Sequence, residues 1–263
     1  MNNPIISVIM GTYNCADTVK NAIDSVVAQT FEDWEFIICD DCSTDNTYHV
    51  LKEIAEGDKR IKIVRNESNK KLAYTLNHCL EIAKGKYIAR MDADDICFPD
   101  RLSKQVKFLD QHKEYAVVGG GIIPYDDSGE HKARIGKEIP EVRDMIKDVP
   151  FYHPTIMMRK SVYKKLNGYT VSERTIRGQD LDLWFRFFSK GFKGYNLQEP
   201  VLKYHQSMSD YKKIGMKVSI NIAKTRLIGF KINRFPIWLY PFAIKPIITE
   251  LIPKRIMYIY HHR

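Results

Sequence analysis

Between Ile5 and Met91 the sequence runs through one unit three times and begins a fourth: a short apolar run, a polar break, then apolar residues at helical spacing. Ile5-Ile6-Ser7-Val8-Ile9-Met10 shows little alternation, as expected for a strand buried on both faces of a parallel sheet. Gly11-Thr12-Tyr13-Asn14 breaks it, and Ala22, Ile23, Val26 and Val27 predict a helix over 17–29. Glu35-Phe36-Ile37-Ile38-Cys39 reads as a second strand, ending at Asp40-Asp41. A helix follows from about Thr44, with Val50, Leu51 and Ile54 inward. Ile61-Lys62-Ile63-Val64 is a third strand, and 72–84 a helix carrying Leu72, Leu76, Cys79, Leu80 and Ala83. The strand at 87–91 then delivers Asp92-Ala93-Asp94-Asp95. A β-α-β-α-β-α-β order predicts an open α/β sheet, mostly parallel, with helices on both faces.

In such sheets ligands bind outside the carboxyl ends of the strands. Thr12-Tyr13, Asp40-Asp41 and Asp92–Asp95 all fall at predicted strand ends, so topology gathers them on one rim. Asp92 and Asp94 are two apart and share one side of an extended backbone. Two like charges there make a poor structural element and a good seat for a hard divalent cation that also keeps water and substrate phosphate. An acidic turn is the plain alternative. Neither GxGxxG nor GxxxxGK[ST] follows the first strand, which argues against a dinucleotide site and a Walker-type phosphate loop.

Composition narrows the class further. With 44% hydrophobic and 28% charged residues the chain is globular. The five cysteines are odd in number and scattered, which suits free thiols in a reducing cytosol. No secretory signal opens the sequence and no run of 18 apolar residues is present. The net charge of +9 is concentrated: 211–263 holds eleven Lys/Arg and one acid, against thirty basic and thirty-one acidic residues elsewhere. A body-wide nucleic-acid surface is therefore not expected.

The ordered set Val8-Ile9-Met10-Gly11-Thr12-Tyr13-Asn14, Gln29-Thr30-Phe31-Glu32-Asp33-Trp34-Glu35, Asp40-Asp41-Cys42-Ser43-Thr44-Asp45, Gly85-Lys86-Tyr87-Ile88 and Asp92-Ala93-Asp94-Asp95 resembles family 2 glycosyltransferases of the GT-A fold, over about residues 5–105. The resemblance implies inverting transfer of a sugar from a UDP-sugar with Mn²⁺ or Mg²⁺. Matched position by position, Thr12 and Tyr13 would line the base, Asp41 would accept the uracil imide N–H, and Asp40 would assist. Asp92 would lie near the ribose, Asp94 would hold the metal, and Asp95 would meet donor-sugar hydroxyls. Three departures stand out: Gly11 replaces a common Pro, and Cys42 and Lys71 replace common glycines. Asp41 as a helix cap is the structural alternative.

The second half continues the resemblance. Arg101 either anchors the acidic rim or is a solvated helix charge. Residues 124–150 read as loops and a helix on the acceptor side. In Phe151-Tyr152-His153-Pro154, the proline holds His153 extended, and its ring is a candidate for touching substrate. Arg177-Gly178-Gln179-Asp180-Leu181-Asp182-Leu183-Trp184 resembles the family's Glu-Asp-x-Asp/Glu-Leu-Trp, with Gln179 in place of Glu and Asp180 as the general base. Leu181, Trp184, Phe185 and Phe188 predict the helix's buried face. His205 ends the last strand as an extra metal ligand or phosphate contact.

The domain reading is a catalytic body over 1–209, with a nucleotide half (1–105) and an acceptor half (106–209), followed by an extension over 210–263. That extension interleaves Lys/Arg with aromatic and aliphatic residues, which suits an anionic membrane surface. A dimer interface or a cover on the body comes next, and nucleic acid last. The expected protein is cytoplasmic and peripheral on the inner face of the plasma membrane. It would act on a glycan or lipid-linked glycan, and a homodimer is among its expected assemblies. The rival readings are a nucleotidyltransferase and a membrane-bound scaffold with a degenerate site.

Overall fold

The computed structural model describes residues 3–206 and 215–250. Strands β1 (Ile6–Thr12), β2 (Trp34–Asp40), β3 (Ile61–Arg65) and β4 (Tyr87–Arg90) are joined by helices α1 (Val19–Val27), α2 (Thr47–Gly57) and α3 (Leu72–Ile82). These four strands are parallel in the order β3-β2-β1-β4. After β4 come β5 (Ile96–Cys97), α4 (Arg101–Gln111), β6 (Val117–Asp126), β7 (Gly129–Glu130), β8 (Met157–Arg159), α5 (Lys160–Leu166), α6 (Gln179–Ser189) and β9 (Gly194–His205). They extend the sheet as β4-β8-β6-β9-β5. The β4–β8, β8–β6 and β9–β5 pairs are antiparallel and β6–β9 is parallel, so the sheet is mixed beyond β4.

The strand pleat explains the two cores. Ile6, Val8 and Met10 point to the face covered by α1, α2 and α4, beside Phe36, Ile38, Leu51, Leu102 and Val106. Ile9 points to the other face with Ile37, Ile88, Leu76 and the α6 residues Trp184, Phe185 and Phe187. Both sides of β1, β2 and β4 are buried, which is why they show no polar alternation, while the edge strand β3 leaves Lys62 and Arg65 exposed. The α1 stripe is Val19, Ala22, Ile23 and Val26, with Val27 left exposed.

Strand order reverses between β1 and β4. A crevice opens beyond their carboxyl ends, the expected place for a ligand in an open α/β sheet.

Two expectations need correction. His153 is not extended: it opens a one-turn 3-10 helix, His153–Thr155, with Pro154 at its second position. Arg101 is not a solvated helix charge, and it interacts electrostatically with the Asp95 carboxylate. It is buried, and its Nη2 donates to the carbonyls of Arg90 (2.7 Å) and Pro154 (2.9 Å), stitching β4 to the His153 turn.

The C-terminal segment, as far as described, packs on the body. Helix α7 (Met216–Ile232) lies against α6, with Phe230 fully buried and its ring 5.9 Å from Phe185. A 3-10 segment (Ile237–Ile244) and α8 (Lys245–Glu250) follow. The expected extension also included 251–263, which lie outside the described residues.

Candidate active site

The rim is assembled from four strand ends. At β1, Thr12 is buried and its hydroxyl donates to the Cys39 carbonyl (3.3 Å), so it fastens β2. Tyr13 is exposed and lines the cleft. Asn14, at φ +51°, accepts from the Thr44 N–H (2.9 Å) and ties the loop after β1 to the loop after β2.

The two acids after β2 part company. Asp40 points inward, paired with Arg65 Nε at 2.9 Å and accepting from the Ser43 N–H at 3.1 Å. It closes a turn and does not line the cleft. Asp41 lines the cleft and accepts three bonds of 2.8 Å, from Asn66 Nδ2, Lys70 N and Lys71 N. Cys42 and Lys71, which stand where glycine is common, sit at φ +61° and +70°. Both side chains thus occupy backbone conformations that disfavour them.

At β4, the guanidinium of Arg90 is fully buried and donates to the Met91 carbonyl and to Asp92 Oδ1. Arg90 and Asp92 both line the cleft. A charged residue in an otherwise apolar strand was the only signal for Arg90 in the sequence. Asp94 has a side chain 48% exposed, 3.8 Å from His205 Nδ1. Asp95 is 1% exposed and turns away, accepting the His205 N–H at 2.9 Å, with Oδ2 buried and without a partner among the described residues. Burial first, then Asp92 and Asp94, push its carboxyl well above the usual range. The hydroxyl of Tyr125 donates to the Asp94 carbonyl (2.7 Å), and burial lifts it to about 12.

Opposite stands α6. Asp180 occupies its first turn, half-buried, with Oδ1 accepting the Leu181 N–H at 2.8 Å. Burial raises its pKa against that hydrogen bond; Asp92 adds to the rise and Arg90 opposes it. Asp182, two residues on, is held by Arg174, Arg186 and Thr170, and its job is to fix the helix. His153 is buried with Nε2 2.9 Å from the Tyr169 hydroxyl, while Nδ1 has no partner among the described residues. Burial and the Arg90 charge hold it well below its usual pKa, so the ring is neutral.

One cleft of about 760 Å³ joins these parts, lined by Tyr13, Asp41, Lys71, Arg90, Asp92, His153, Arg177 and Asp180 among others. A second recess of about 420 Å³ shares Tyr13, Leu72 and Asp92 with it and adds Asp94 and His205. Of the expected site residues, Tyr13, Asp41, Asp92, His153 and Asp180 meet in the larger space, and Asp94 and His205 in the smaller. Thr12, Asp40 and Asp95 lie behind the surface.

Among the described residues no three His, Cys, Asp or Glu side chains form a metal cage. A hard cation that takes most of its oxygens from phosphate and water needs only one or two carboxylates. Asp94, backed by His205, fits that pattern.

A curled α/β sheet whose strand-end acids face a carboxylate on an opposing helix defines a GT-A glycosyltransferase. The model of glycosyl transferase family 2 matches residues 7–167, and this chain belongs to that family. It is 44% identical over 263 residues to EpsE of Bacillus subtilis (strain 168), covering 100% of this chain and 95% of that one, whose name assigns it provisionally to the glycosyltransferases. It is 30% identical over 251 residues to the UDP-Glc:alpha-D-GlcNAc-diphosphoundecaprenol beta-1,3-glucosyltransferase WfaP of Escherichia coli, covering 94% and 95%. In fold it is similar to the mannosyltransferase PcManGT of Pyrobaculum calidifontis in complex with GDP-Man and Mn²⁺, at TM-score 0.67 and 18% identity, covering 94% and 74%. Family membership sets the nucleotidyltransferase and scaffold readings aside.

Proposed function

We propose that this glycosyltransferase moves a sugar, with inversion, from a UDP-sugar to a hydroxyl of a growing surface glycan carried on a lipid. The observation that carries the reading is the placement of Asp180 across one cleft from Asp92, with Asp94 in the adjoining recess. Inversion needs an attacking hydroxyl on the face of the anomeric carbon opposite the departing diphosphate, and a base beside that hydroxyl. Asp180 takes the hydroxyl proton as the new glycosidic bond forms, and the bond to the diphosphate breaks with its electron pair leaving on UDP. Its pKa, raised by burial, makes it a better proton acceptor than an ordinary aspartate. Asp94 and His205 would hold Mn²⁺ or Mg²⁺, which neutralises charge on the leaving diphosphate.

Tyr13 offers a ring to the base, and Asp41 offers a carboxylate that matches the uracil imide. Asp92 meets the ribose, and Arg90 fixes Asp92. The buried Asp95 acts by tethering β9, and His153 presents its unpartnered Nδ1 toward the sugars. WfaP, by its name, uses UDP-Glc and a lipid diphosphate acceptor, which supports the donor and the carrier. Among the described residues no helix is long and apolar enough to cross a membrane. Work on a lipid-borne acceptor then calls for a peripheral position, which we place on the cytoplasmic face.

Calorimetric titration with UDP, with and without Mn²⁺, on wild type and Asp94→Ala, tests the donor site. Metal-dependent binding lost in Asp94→Ala is the expected result. Binding of GDP in preference to UDP would overturn the donor, and metal-independent binding would overturn the role of Asp94.

A further inference from the structure

The segment Ile237–Ile244 divides its residues sharply. Ala243 is buried, and Leu239 and Tyr240 pack on the α6–α7 core, Tyr240 with its ring 5.9 Å from Phe230. On the outer side Ile237 is 79% and Trp238 73% exposed, and Phe242, Ile244 and Ile248 are exposed as well. A 3-10 helix repeats every three residues, so Trp238, Pro241 and Ile244 line one edge while Tyr240 and Ala243 face inward. The turn before it is closed by the Phe235 N–H donating to the Phe230 carbonyl (2.9 Å), with the two rings 4.8 Å apart. The apolar edge is therefore held in place by the core beneath it.

Its charge is equally one-sided. From Met216 to Ile248 the sequence has six Lys/Arg and no Asp or Glu. Arg226 is spent on the carbonyls of Met145 and Ile146, and Lys217 on Glu173. Lys224, Lys231, Arg234 and Lys245 are exposed. The chain beyond, 249–263, adds Lys254, Arg255 and Arg263 against a single acid, Glu250. Exposed tryptophan and aliphatic side chains beside an excess of cations match the acyl boundary and headgroups of an anionic bilayer. A second copy of this surface would set like charges against each other.

We propose that Ile237, Trp238, Phe242, Ile244 and Ile248, flanked by Lys231, Arg234 and Lys245, form a preformed docking face for a bilayer containing anionic phospholipid. The inference rests on the peripheral position read above and names the surface that provides it. The same unit braces the base-bearing loop: Thr225 donates to the Arg174 carbonyl (3.3 Å), and Asn221 to that of Glu173 (3.3 Å). Docking thus sets the orientation of the acceptor side of the cleft to the membrane.

The full chain is mixed with vesicles of phosphatidylcholine, alone or with phosphatidylglycerol, and followed by co-sedimentation and by tryptophan emission with brominated acyl chains. Trp34 and Trp184 are 2% and 0% exposed, so quenching by bromine reports on Trp238. The expected result is sedimentation with the phosphatidylglycerol vesicles and quenching of the exposed tryptophan. Ile237→Ser with Phe242→Ser should weaken it at least about tenfold, with the melting temperature and UDP affinity unchanged. Lys231→Glu with Arg234→Glu and Lys245→Glu should abolish the dependence on phosphatidylglycerol. Failure of the wild type to sediment, sedimentation without quenching, or protection of Trp238 by self-association in the absence of lipid would each overturn the docking face. Absence of UDP binding in the same protein would sink the donor reading and leave the docking face standing.

Discussion

The Lys71 N–H donates to Asp41 Oδ2 at 2.8 Å, and Lys71 sits there at φ 70°, ψ 161°, a region nearly reserved for glycine. The carboxylate that faces the cleft is thus also the clamp on a strained loop. Lys71→Gly should stabilise the protein by about 1 kcal/mol, since strain relief exceeds glycine's added chain entropy. Asp41→Ala strands three donors and should cost about 3 kcal/mol as well as UDP affinity. Urea denaturation of both variants checks this, and a destabilised Lys71→Gly would refute the account of strain.

Asp180→Asn separates binding from chemistry. UDP and Mn²⁺ affinity should stay close to wild type, and transfer should fall about 10²–10⁴-fold. Burial raises the folded-state pKa of Asp180, so its contribution to stability is present below the unfolded pKa and is lost as pH rises through the folded one. At neutral pH the charged, buried carboxylate is a cost. Asp180→Asn should therefore be more stable than wild type at pH about 7, with the gain vanishing near pH about 4. Denaturation at the two pH values measures it.

For His153 the sign is opposite. Its folded pKa is held well below the unfolded value of about 6.5. Stability is present above that value and falls as pH drops below it, because only the unfolded chain takes up the proton. His153→Gln should flatten the stability profile between pH about 6.5 and 5. An unchanged slope would mean that the ring is protonated where it lies.

Arg90 has a partner on each side of its guanidinium, the Met91 carbonyl and Asp92. Arg90→Met should cost about 3 kcal/mol and weaken UDP binding. Arg90→Lys should recover little, because one ammonium cannot reproduce the planar fork. Full rescue by lysine would reduce the role of Arg90 to charge alone.

A methyl group on Gly229 would lie 2.2 Å from the Phe185 ring. Gly229→Ala should cost about 1–3 kcal/mol. It should lower the rate of transfer more than UDP affinity, since α7 supports the 173–180 loop and not the nucleotide half. For the same reason removing the chain from 210 onward deletes Phe230 and uncovers Phe185, and should unfold the α6 side of the body rather than release an intact one.

The part up to β4 was legible because β1, β2 and β4 are buried on both faces and each of its helices shows one stripe. The acceptor half was less so. Leu183 and Phe187 lie off the predicted face of α6, and their burial comes from elements that sequence spacing does not pair with them. Asp40 and Asp41 look alike in the sequence; which one faces the cleft depends on Arg65, from the neighbouring strand. Asp95 likewise reads as a third rim acid until β9 arrives to cover it. The glycine-like positions at 42 and 71 were visible from the resemblance, and both have positive φ.

Asp95 and His205 are 110 residues apart in the chain, and that distance is also a delay. At about 5–20 residues per second, a ribosome needs on the order of ten seconds to travel from one to the other. During that interval the nascent protein displays its acidic rim without the strand that ties it down. On the function proposed above, competence to hold a nucleotide-sugar would therefore be acquired late in translation, when a donor can first meet a finished site.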